Sequence, residues 1–307
     1  MLILANVFWG LSFPIMKALG QAQKTLLPQS NSWFVAALCV TLRFAVAALL
    51  MAAISWKTWR RITRSEIWQG VGLAVFAAGG LVIQMDGLAY TQASTSAFLT
   101  QCYCVIIPVW LAARHRQWPT VHVMIACLLA ICGVAILSEL DWRQLRLGRG
   151  EWETILASII FTGQILWLER PRFRGNHVNH FTLIMFAAMA ALCAPAAWFT
   201  MDHRRDWLTA YSTGPTVGLM AMLVIFCTMG AYRLMNHWQV HLTATQAGLI
   251  YCVEPMFASL FALFLPEWFS HWTGTPYPNE HLTFNLLVGG GLVVAANIVV
   301  QLEPAKK

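Results

Sequence analysis

The sequence predicts an all-α membrane protein in which ten transmembrane helices form two inverted repeats of five helices each. Three observations lead to this fold class: a composition poor in charge, ten long apolar segments and a weak internal repeat. The 307 residues are 58% hydrophobic and only 11% charged, with a mean hydropathy of +0.60. A soluble domain carries about 25% charged residues, so these charges are too few to cover a water-facing surface.

Ten apolar segments approach the length of about 20 residues that a membrane-spanning helix needs. They are roughly 2–20, 33–55, 67–86, 94–113, 121–138, 151–169, 180–200, 215–233, 243–265 and 283–301. Only helices and closed barrels satisfy their backbone in lipid, and barrel strands would be about ten alternating residues. The segments therefore predict a helical bundle, and the first is expected to be a retained span because no basic leader precedes it.

Basic residues in the loops predict the orientation of the bundle. With a cytoplasmic N-terminus, the inside segments carry twelve Lys and Arg and the outside segments carry six. This bias favours a multi-pass protein of the inner cell membrane with both termini in the cytoplasm. The net charge of +7 forms no contiguous basic face, so we expect no nucleic-acid partner.

The internal repeat supports two halves of opposite orientation. TSAFLTQCYCVIIP (95–108) aligns without a gap on LTATQAGLIYCVEP (242–255), so that Pro108 matches Pro255. We expect five-helix repeats over residues 1–140 and 151–303. Because five is odd, the second repeat would insert upside down, an arrangement typical of secondary transporters with a mid-membrane site.

Four motifs resemble those of a known family. FWGLSFPIMKAL (8–19), LRFAVAALLM (42–51), GLAYTQASTSAFL (87–99) and VEPMFASLFALFLPEW (253–268) resemble, in this order, helix motifs of EamA-type transporters in the drug/metabolite transporter superfamily. The resemblance implies ten helices around a central cavity that opens alternately to each side. It also implies transport, usually export, of small metabolites such as amino acids. The ninth connection, 265–281, is longer than the family's short turn.

Charges inside the apolar segments are candidates for function, because a charge at the bilayer centre costs about 2.5–3.5 kcal/mol on insertion scales. Glu254 precedes Pro255, which frees a backbone carbonyl one turn earlier. We expect Glu254 to accept a proton, to bind a cationic substrate group or to bond a neighbouring helix. Arg43 is expected to pair with Glu254 or Asp86, or to bind a substrate carboxylate. Asp86 itself is expected to cap the next turn, and Lys17 to extend towards the interface.

Uncharged polar residues within the segments are candidates to line the cavity, the alternative being hydrogen bonds that only join helices. They are Gln84, Gln101, Tyr103, Gln164, Gln246 and Tyr251. Together with Arg43 and Glu254 they form the predicted substrate site. Trp9 and Gly10 are expected to pack, Gly10 allowing a neighbouring helix to approach. The predicted hinges are Pro14, Pro108 and Pro255, because proline interrupts the helical ladder.

No metal, cofactor or catalytic group is expected. The pairs His177/His180 and His237/His241 have the spacing of helical metal ligands, but no third ligand is evident, and we expect solvated loop histidines. The eight cysteines lie in apolar segments and are expected to act as small hydrophobic residues. GxSxG, Walker and HExxH motifs are absent from the sequence, so neither an enzyme nor an ATP-driven pump is expected.

The leading prediction is therefore a secondary transporter that exports an amino-acid-like or drug-like metabolite across the plasma membrane. Its expected partners are a small-molecule substrate and membrane lipid, with protons as the candidate coupling ion. The alternatives are a flippase for lipids or lipid-linked sugars, an intramembrane enzyme, and a membrane partner or sensor that transports nothing.

Overall fold

The computed structural model describes residues 1–114, 116, 118, 120–137, 147–251 and 253–301. The expected repeat boundaries at 140 and 303 and part of the charged loop after residue 137 lie outside these residues. All regular structure in the described ranges is helical, without a strand, in agreement with the predicted all-α class.

Six helices make up the first half of the chain: α1 (Leu2–Leu26), α2 (Ser32–Ser55), α3 (Arg64–Leu88), α4 (Ala93–Thr100), α5 (Tyr103–Arg114) and α6 (Val121–Leu137). Polar side chains cap the N-termini of two of these helices. Asn31 accepts a hydrogen bond from the backbone N–H of Trp33 at 3.0 Å at the start of α2. Thr63 and Glu66 form a reciprocal capping box at the start of α3, which satisfies two N–H groups that a helix end leaves free.

The second half contains α7 (Arg149–Leu168), α8 (Val178–Thr200), α9 (Asp206–Thr209), α10 (Gly214–Met222), a π-helical segment (Leu223–Gly230), α11 (Ala231–Trp238), α12 (Ala244–Tyr251), α13 (Glu254–Ala262), α14 (Leu265–Thr273) and α15 (Phe284–Gln301). Helix α14 lies in the long ninth connection and ends at Gly274, whose φ of 70° is a left-handed conformation that glycine adopts at little cost.

Six helical stretches of the described chain are long and apolar enough to cross a membrane. They are Leu2–Leu26, Ser32–Ser55, Arg64–Leu88, Ala93–Arg114, Val178–Thr200 and Gly214–His241. Two shorter apolar stretches follow at Val121–Gly133 and Phe284–Ala296. Large apolar side chains also point outward, among them Leu49 at 71% and Phe199 at 83% exposure. Such an outer surface suits lipid, so the chain is a multi-pass membrane protein.

Helix packing brings the two halves of the chain together. Helix α2 packs along α8, α6 packs along α15, and α3 packs against both α7 and α8. Helix α1 contacts α13, α11 and the π-helical segment. The largest buried cluster runs through these contacts and contains residues of both halves, so the centre of the bundle is shared between them.

Gly10 sets the close approach of α1 to α13. A Cβ atom on Gly10 would lie 2.8 Å from the backbone nitrogen of Ala258 and 3.0 Å from the carbonyl oxygen of Glu254. Real Cβ atoms do not come so close to backbone, so only glycine fits without moving α13. The prediction that Gly10 lets a neighbouring helix approach is confirmed.

Two of the helical paths are interrupted. The first breaks between α4 and α5 at residues 101–102, and the second breaks at Val253, a turn residue directly before α13. Pro255 lies in the first turn of α13, where its missing N–H costs little. Near this break, Asn6 Nδ2 donates a hydrogen bond to the carbonyl of Ile250 at 2.7 Å. Pro14 and Pro108 instead lie inside the continuous helices α1 and α5.

Candidate substrate cavity

A cavity of about 70 Å³ lies at the centre of the bundle, among α1, α2, α3, α7 and the interrupted helices. It has room for on the order of five water molecules. Six of the eight predicted site residues line it: Arg43, Gln84, Tyr103, Gln164, Tyr251 and Glu254. These six residues are far apart in the sequence, and the fold brings them to one surface.

Arg43 is held by the π-helical segment. Its Nε donates to Thr228 Oγ1 at 2.5 Å, and its Nη2 donates to the carbonyl of Cys227 at 3.0 Å. Its Nη1 points to the sulfur of Met16 at 3.5 Å. The π geometry helps, because Thr228 Oγ1 donates in turn to the carbonyl of Leu223, five residues earlier, at 2.9 Å. Segments of this kind are frequent at functional sites.

The expected ion pair of Arg43 with Glu254 or Asp86 is wrong. Among the described residues, no carboxylate lies within ion-pair distance of Arg43. Asp86 pairs with Arg149 Nη2 at 2.5 Å, and Arg149 Nε also bonds Glu153 at 2.7 Å. The physical reason is that α3 and α7 pack side by side, which brings the start of α7 to the end of α3.

Asp86 also does not cap the turn that follows α3. The N-terminus of α4 is capped from a distant segment, because Glu280 Oε1 accepts the backbone N–H of Ala93 at 2.9 Å and that of Ser94 at 3.4 Å. Lys17 Nζ donates to the carbonyl of Thr91 at 2.5 Å, so it reaches the polar end of the bundle.

Glu254 is held much more loosely than Arg43. Its side chain is buried, with 6% of the residue exposed, yet its only side-chain hydrogen bond in the described part of the chain is a long one from Gln101 Nε2 at 3.5 Å. Gln101, which was predicted to line the cavity, contacts Glu254 but does not line the cavity itself. A carboxylate with so few bonds keeps acceptor capacity for a proton or a ligand.

Three aromatic residues form one side of the cavity. Trp9 meets Tyr232 and Tyr251 edge to face, with ring centroids 5.6 Å and 5.3 Å apart. Trp9 was expected only to pack, yet it also lines the cavity. Tyr232 was missed because the sequence ended the eighth span at 233, whereas the helical stretch continues to His241. A tyrosine, which carries a polar hydroxyl, near the end of a predicted apolar segment could have indicated this cavity residue from the sequence.

Gln246 does not line the central cavity. It is exposed and forms a capping box with Thr243: Gln246 Oε1 accepts the N–H of Thr243 at 3.0 Å, and Thr243 Oγ1 accepts the N–H of Gln246 at 3.2 Å. The spacing T-x-x-Q at 243–246 is a known signature of a helix start, and it could have indicated this role from the sequence. The prediction that Gln246 lines the central cavity is therefore wrong, although Gln246 does line the larger pocket beside Arg114 and Arg170.

His180 is not a solvated loop histidine. It lies in the first turn of α8, is 4% exposed, and its Nδ1 is 3.1 Å from both carboxylate oxygens of Glu66. His237 and His241 are exposed, but His237 belongs to the last turn of α11. The described residues contain no group of three potential metal ligands.

Two larger basins flank the cavity along the helix axes. The first, here called the arginine basin, has a volume of about 940 Å³ and is lined by Arg114, Arg170 and Arg174 among others. The second, here called the acidic basin, has a volume of about 760 Å³ and is lined by Lys17, Glu151 and Glu280 among others. The cavity therefore lies between two wide openings at opposite ends of the bundle.

The fold and the cavity define a helical, multi-pass membrane protein with a polar site between its two halves. Residues 1–139 match the EamA-like transporter family. An uncharacterized transporter of Archaeoglobus fulgidus is 24% identical over 268 residues, which cover 85% of this chain and 76% of that protein. The predicted resemblance to EamA-type transporters is thereby confirmed for residues 1–139, and both findings support a membrane transporter.

A solved crystal structure has a similar fold. It superposes with a TM-score of 0.58 at 14% sequence identity, over 97% of this chain and 96% of that chain. At this identity the likeness concerns the fold alone, and it extends over both halves of the chain.

Proposed function

We propose that the protein is a secondary transporter that carries a small polar metabolite through the central cavity by alternating access. In this proposal residues 1–140 and 151–303 form two inverted five-helix repeats, the termini are cytoplasmic and the direction is export from the cell. The observation that carries the proposal is a small cavity with a buried Arg43 and a buried Glu254 on its wall, between two wide basins.

The pattern of helix contacts supports the two inverted repeats. If α7 corresponds to α1 and α8 to α2, the contact of α2 with α8 is its own counterpart. The contact of α6 with α15 is likewise its own counterpart. The contact of α1 with α13 corresponds to that of α7 with α5, and the contact of α1 with α12 corresponds to that of α7 with α4. Both interrupted paths also begin with a helix of eight residues, α4 and α12.

The chemistry of the wall favours a substrate that carries both charges. Arg43 can face a carboxylate and Glu254 an ammonium group, and the edges of Trp9, Tyr232 and Tyr251 supply apolar contact beside them. An amino-acid-like metabolite fits this set. Protons are the proposed coupling ion, because Glu254 is the loosely bonded carboxylate of the cavity.

The size of the cavity requires movement. A space for on the order of five water molecules cannot hold most metabolites without expansion. We therefore propose that the structure corresponds to a closed stage and that the repeats rock apart towards one basin at a time. Pro14, Pro108 and Pro255 are the proposed hinges. Unchanged transport in the double variant Pro108→Ala/Pro255→Ala would contradict the roles of Pro108 and Pro255.

Uptake into proteoliposomes tests the proposed function. Radiolabelled zwitterionic, anionic, cationic and neutral metabolites are screened with and without a pH gradient. We expect gradient-sensitive uptake of at least one compound, lost in Glu254→Gln. The matched control is Glu267→Gln, the same change on α14, where Glu267 accepts a bond from Asn279 at 2.9 Å and does not line the cavity.

No uptake of any compound by folded protein would contradict the proposal. A lipid-scrambling assay on the same proteoliposomes then separates a flippase from a partner that transports nothing. If Glu254→Gln leaves uptake unchanged, the protein is still a transporter, but the proposal that Glu254 couples transport to protons is rejected.

A further inference from the structure

The arginine basin carries positive charge that the protein does not neutralise. Arg114 comes from the end of α5, and Arg170 and Arg174 come from the link between α7 and α8. Glu169 is the one carboxylate among the described residues that line this basin. Within the described chain, none of the three arginines forms an ion pair with an acidic residue.

The link that carries two of these arginines is held in place. Phe173 is 5% exposed and its ring lies 5.6 Å from that of Trp167, while the guanidinium of Arg170 covers Trp167 at 4.0 Å. Asn176 Nδ2 donates to Gln69 Oε1 at 2.8 Å. Partial burial, and then the charges of Arg172 and Arg114, lower the pKa of Arg170, as expected for neighbouring cations without an anion.

The basin lies beyond the cavity along two helices that line both spaces. Helix α7 contributes Gln164 to the cavity and Leu168 to the basin, and α5 contributes Tyr103 to the cavity and Arg114 to the basin. Gln239 lies near Tyr251 and α7, between these two spaces. Its Oε1 accepts a hydrogen bond from Tyr251 at 2.8 Å, and its Nε2 donates to the carbonyl of Ile165 at 3.2 Å.

We propose that the arginine basin is a docking site for the anionic group, carboxylate or phosphate, of the substrate at this face of the membrane. Guanidinium groups bind such oxygens with paired, charge-assisted hydrogen bonds. A wide basin with one sign of charge also raises the local concentration of an oppositely charged solute. The inference rests on the proposed function for the identity of the anion as a transported substrate.

Binding of inorganic phosphate tests the site directly. The full-length protein is placed in nanodiscs of neutral phosphatidylcholine, and radiolabelled phosphate is measured by equilibrium dialysis. We expect saturable binding that weakens as salt is raised. The triple variant Arg114→Gln/Arg170→Gln/Arg174→Gln should weaken it about tenfold or more, a loss of about 1.4 kcal/mol or more.

The matched control is Arg60→Gln/Arg61→Gln, two exposed arginines on the turn before α3 that do not line the basin. We expect wild-type binding from this control. Absence of saturable binding in the wild type, or equal loss in the control and the triple variant, would overturn the proposal.

Anionic lipid is the other source of a phosphate group. In nanodiscs containing phosphatidylglycerol, a site for soluble substrate keeps its phosphate binding. Loss of that binding in these nanodiscs would assign the basin to a lipid headgroup and overturn the substrate assignment.

Transport measurements distinguish failure of the inference from failure of the proposed function. For an anionic or zwitterionic substrate offered at this face, the triple variant should raise KM with kcat unchanged. Transport with an unchanged KM would reject the docking site and keep the transporter. Arginine-dependent phosphate binding by a protein that transports nothing would keep the anion site and reject both the transporter and the substrate assignment.

Discussion

The two charged residues of the cavity wall differ in how the protein holds them. Arg43 has three partners, two on the π-helical segment and one on α1, whereas Glu254 has one long hydrogen bond from Gln101. A buried charge that is held by several hydrogen bonds has a fixed position. One with spare bonding capacity can respond to a proton or a ligand. The difference teaches that the protein fixes the position of Arg43 and leaves Glu254 free to bond, which is why we propose Glu254 as the proton-coupling residue. The following substitutions test this contrast and its surroundings, from the largest to the smallest effect expected on Tm or on uptake.

Replacement of Arg43 should have the largest effect. Hydrogen bonds to charged groups contribute about 1.5–3 kcal/mol each, and Arg43→Gln loses at least two of them. We expect a marked fall in Tm by thermal unfolding in detergent, together with loss of uptake. Arg43→Lys keeps the charge but not the planar guanidinium group, so its Tm should lie between those of the wild type and Arg43→Gln. The control is Arg233→Gln, an exposed residue on α11; a wild-type Tm in Arg43→Gln would remove the anchoring role.

Gly10→Ala should have the next largest effect. The added Cβ would push against the backbone of α13, the helix that carries Glu254. Overpacking of this kind costs about 1–3 kcal/mol, so we expect a lower Tm and reduced uptake. Gly20→Ala is the matched control on the same helix, because its Cβ would meet only Met85 Cε at 3.7 Å. Equal Tm values in the two variants would show that α1 and α13 do not need this contact.

Glu254→Gln should change transport and leave Tm near the wild-type value. The amide has nearly the same shape, and the single 3.5 Å contact contributes little to folding. We expect gradient-driven uptake to fall about tenfold or more, since each 1.4 kcal/mol of lost interaction is a factor of ten. A Tm loss as large as that of Arg43→Gln would erase the contrast between the two residues.

Gln246→Ala should have the smallest effect. It removes one side of a capping box at the start of α12, for which about 0.5–1 kcal/mol is expected. Uptake at saturating substrate should be unchanged, because Gln246 does not line the cavity. Gln246→Glu keeps the box and should restore Tm; a transport defect in both variants would return Gln246 to the substrate site.

The sequence was a good guide where one segment determines the outcome. The low charge and the long apolar segments predicted an all-helical membrane protein, and Glu254–Pro255 correctly indicated a broken helix. It was a poor guide where the partner comes from elsewhere in the chain. Nothing local to Arg43 indicates a π-helical segment nearly two hundred residues away, and nothing local to Asp86 indicates Arg149.

The roles of polar residues near helix ends were also predicted poorly, because such a role depends on the position of the residue along its helix. Gln246 is a polar residue in an apolar segment, as a cavity residue would be, but it also follows Thr243 at the spacing of a capping box. The structure shows the capping role. His180 was assigned to solvent because its pair lies at the edge of an apolar segment. It is buried against Glu66 of α3, a contact that only the packing of α3 on α8 produces.

Alternate opening of the cavity to the two basins is the central step of the proposed transport cycle, and sided labelling of Ser12→Cys measures it directly. Ser12 lines the cavity from α1. The variant is made in a chain whose native cysteines are replaced, and a membrane-impermeant maleimide is applied to each face of sealed vesicles under opposite pH gradients. Ile3→Cys, on the same helix, apolar in the wild type and 57% exposed, is the control for non-specific labelling.

We expect Ser12→Cys to react from the face of the arginine basin under one gradient and from the face of the acidic basin under the other. Reaction from a single face under every gradient, with the protein folded and Ile3→Cys unlabelled, would contradict alternating access through this cavity.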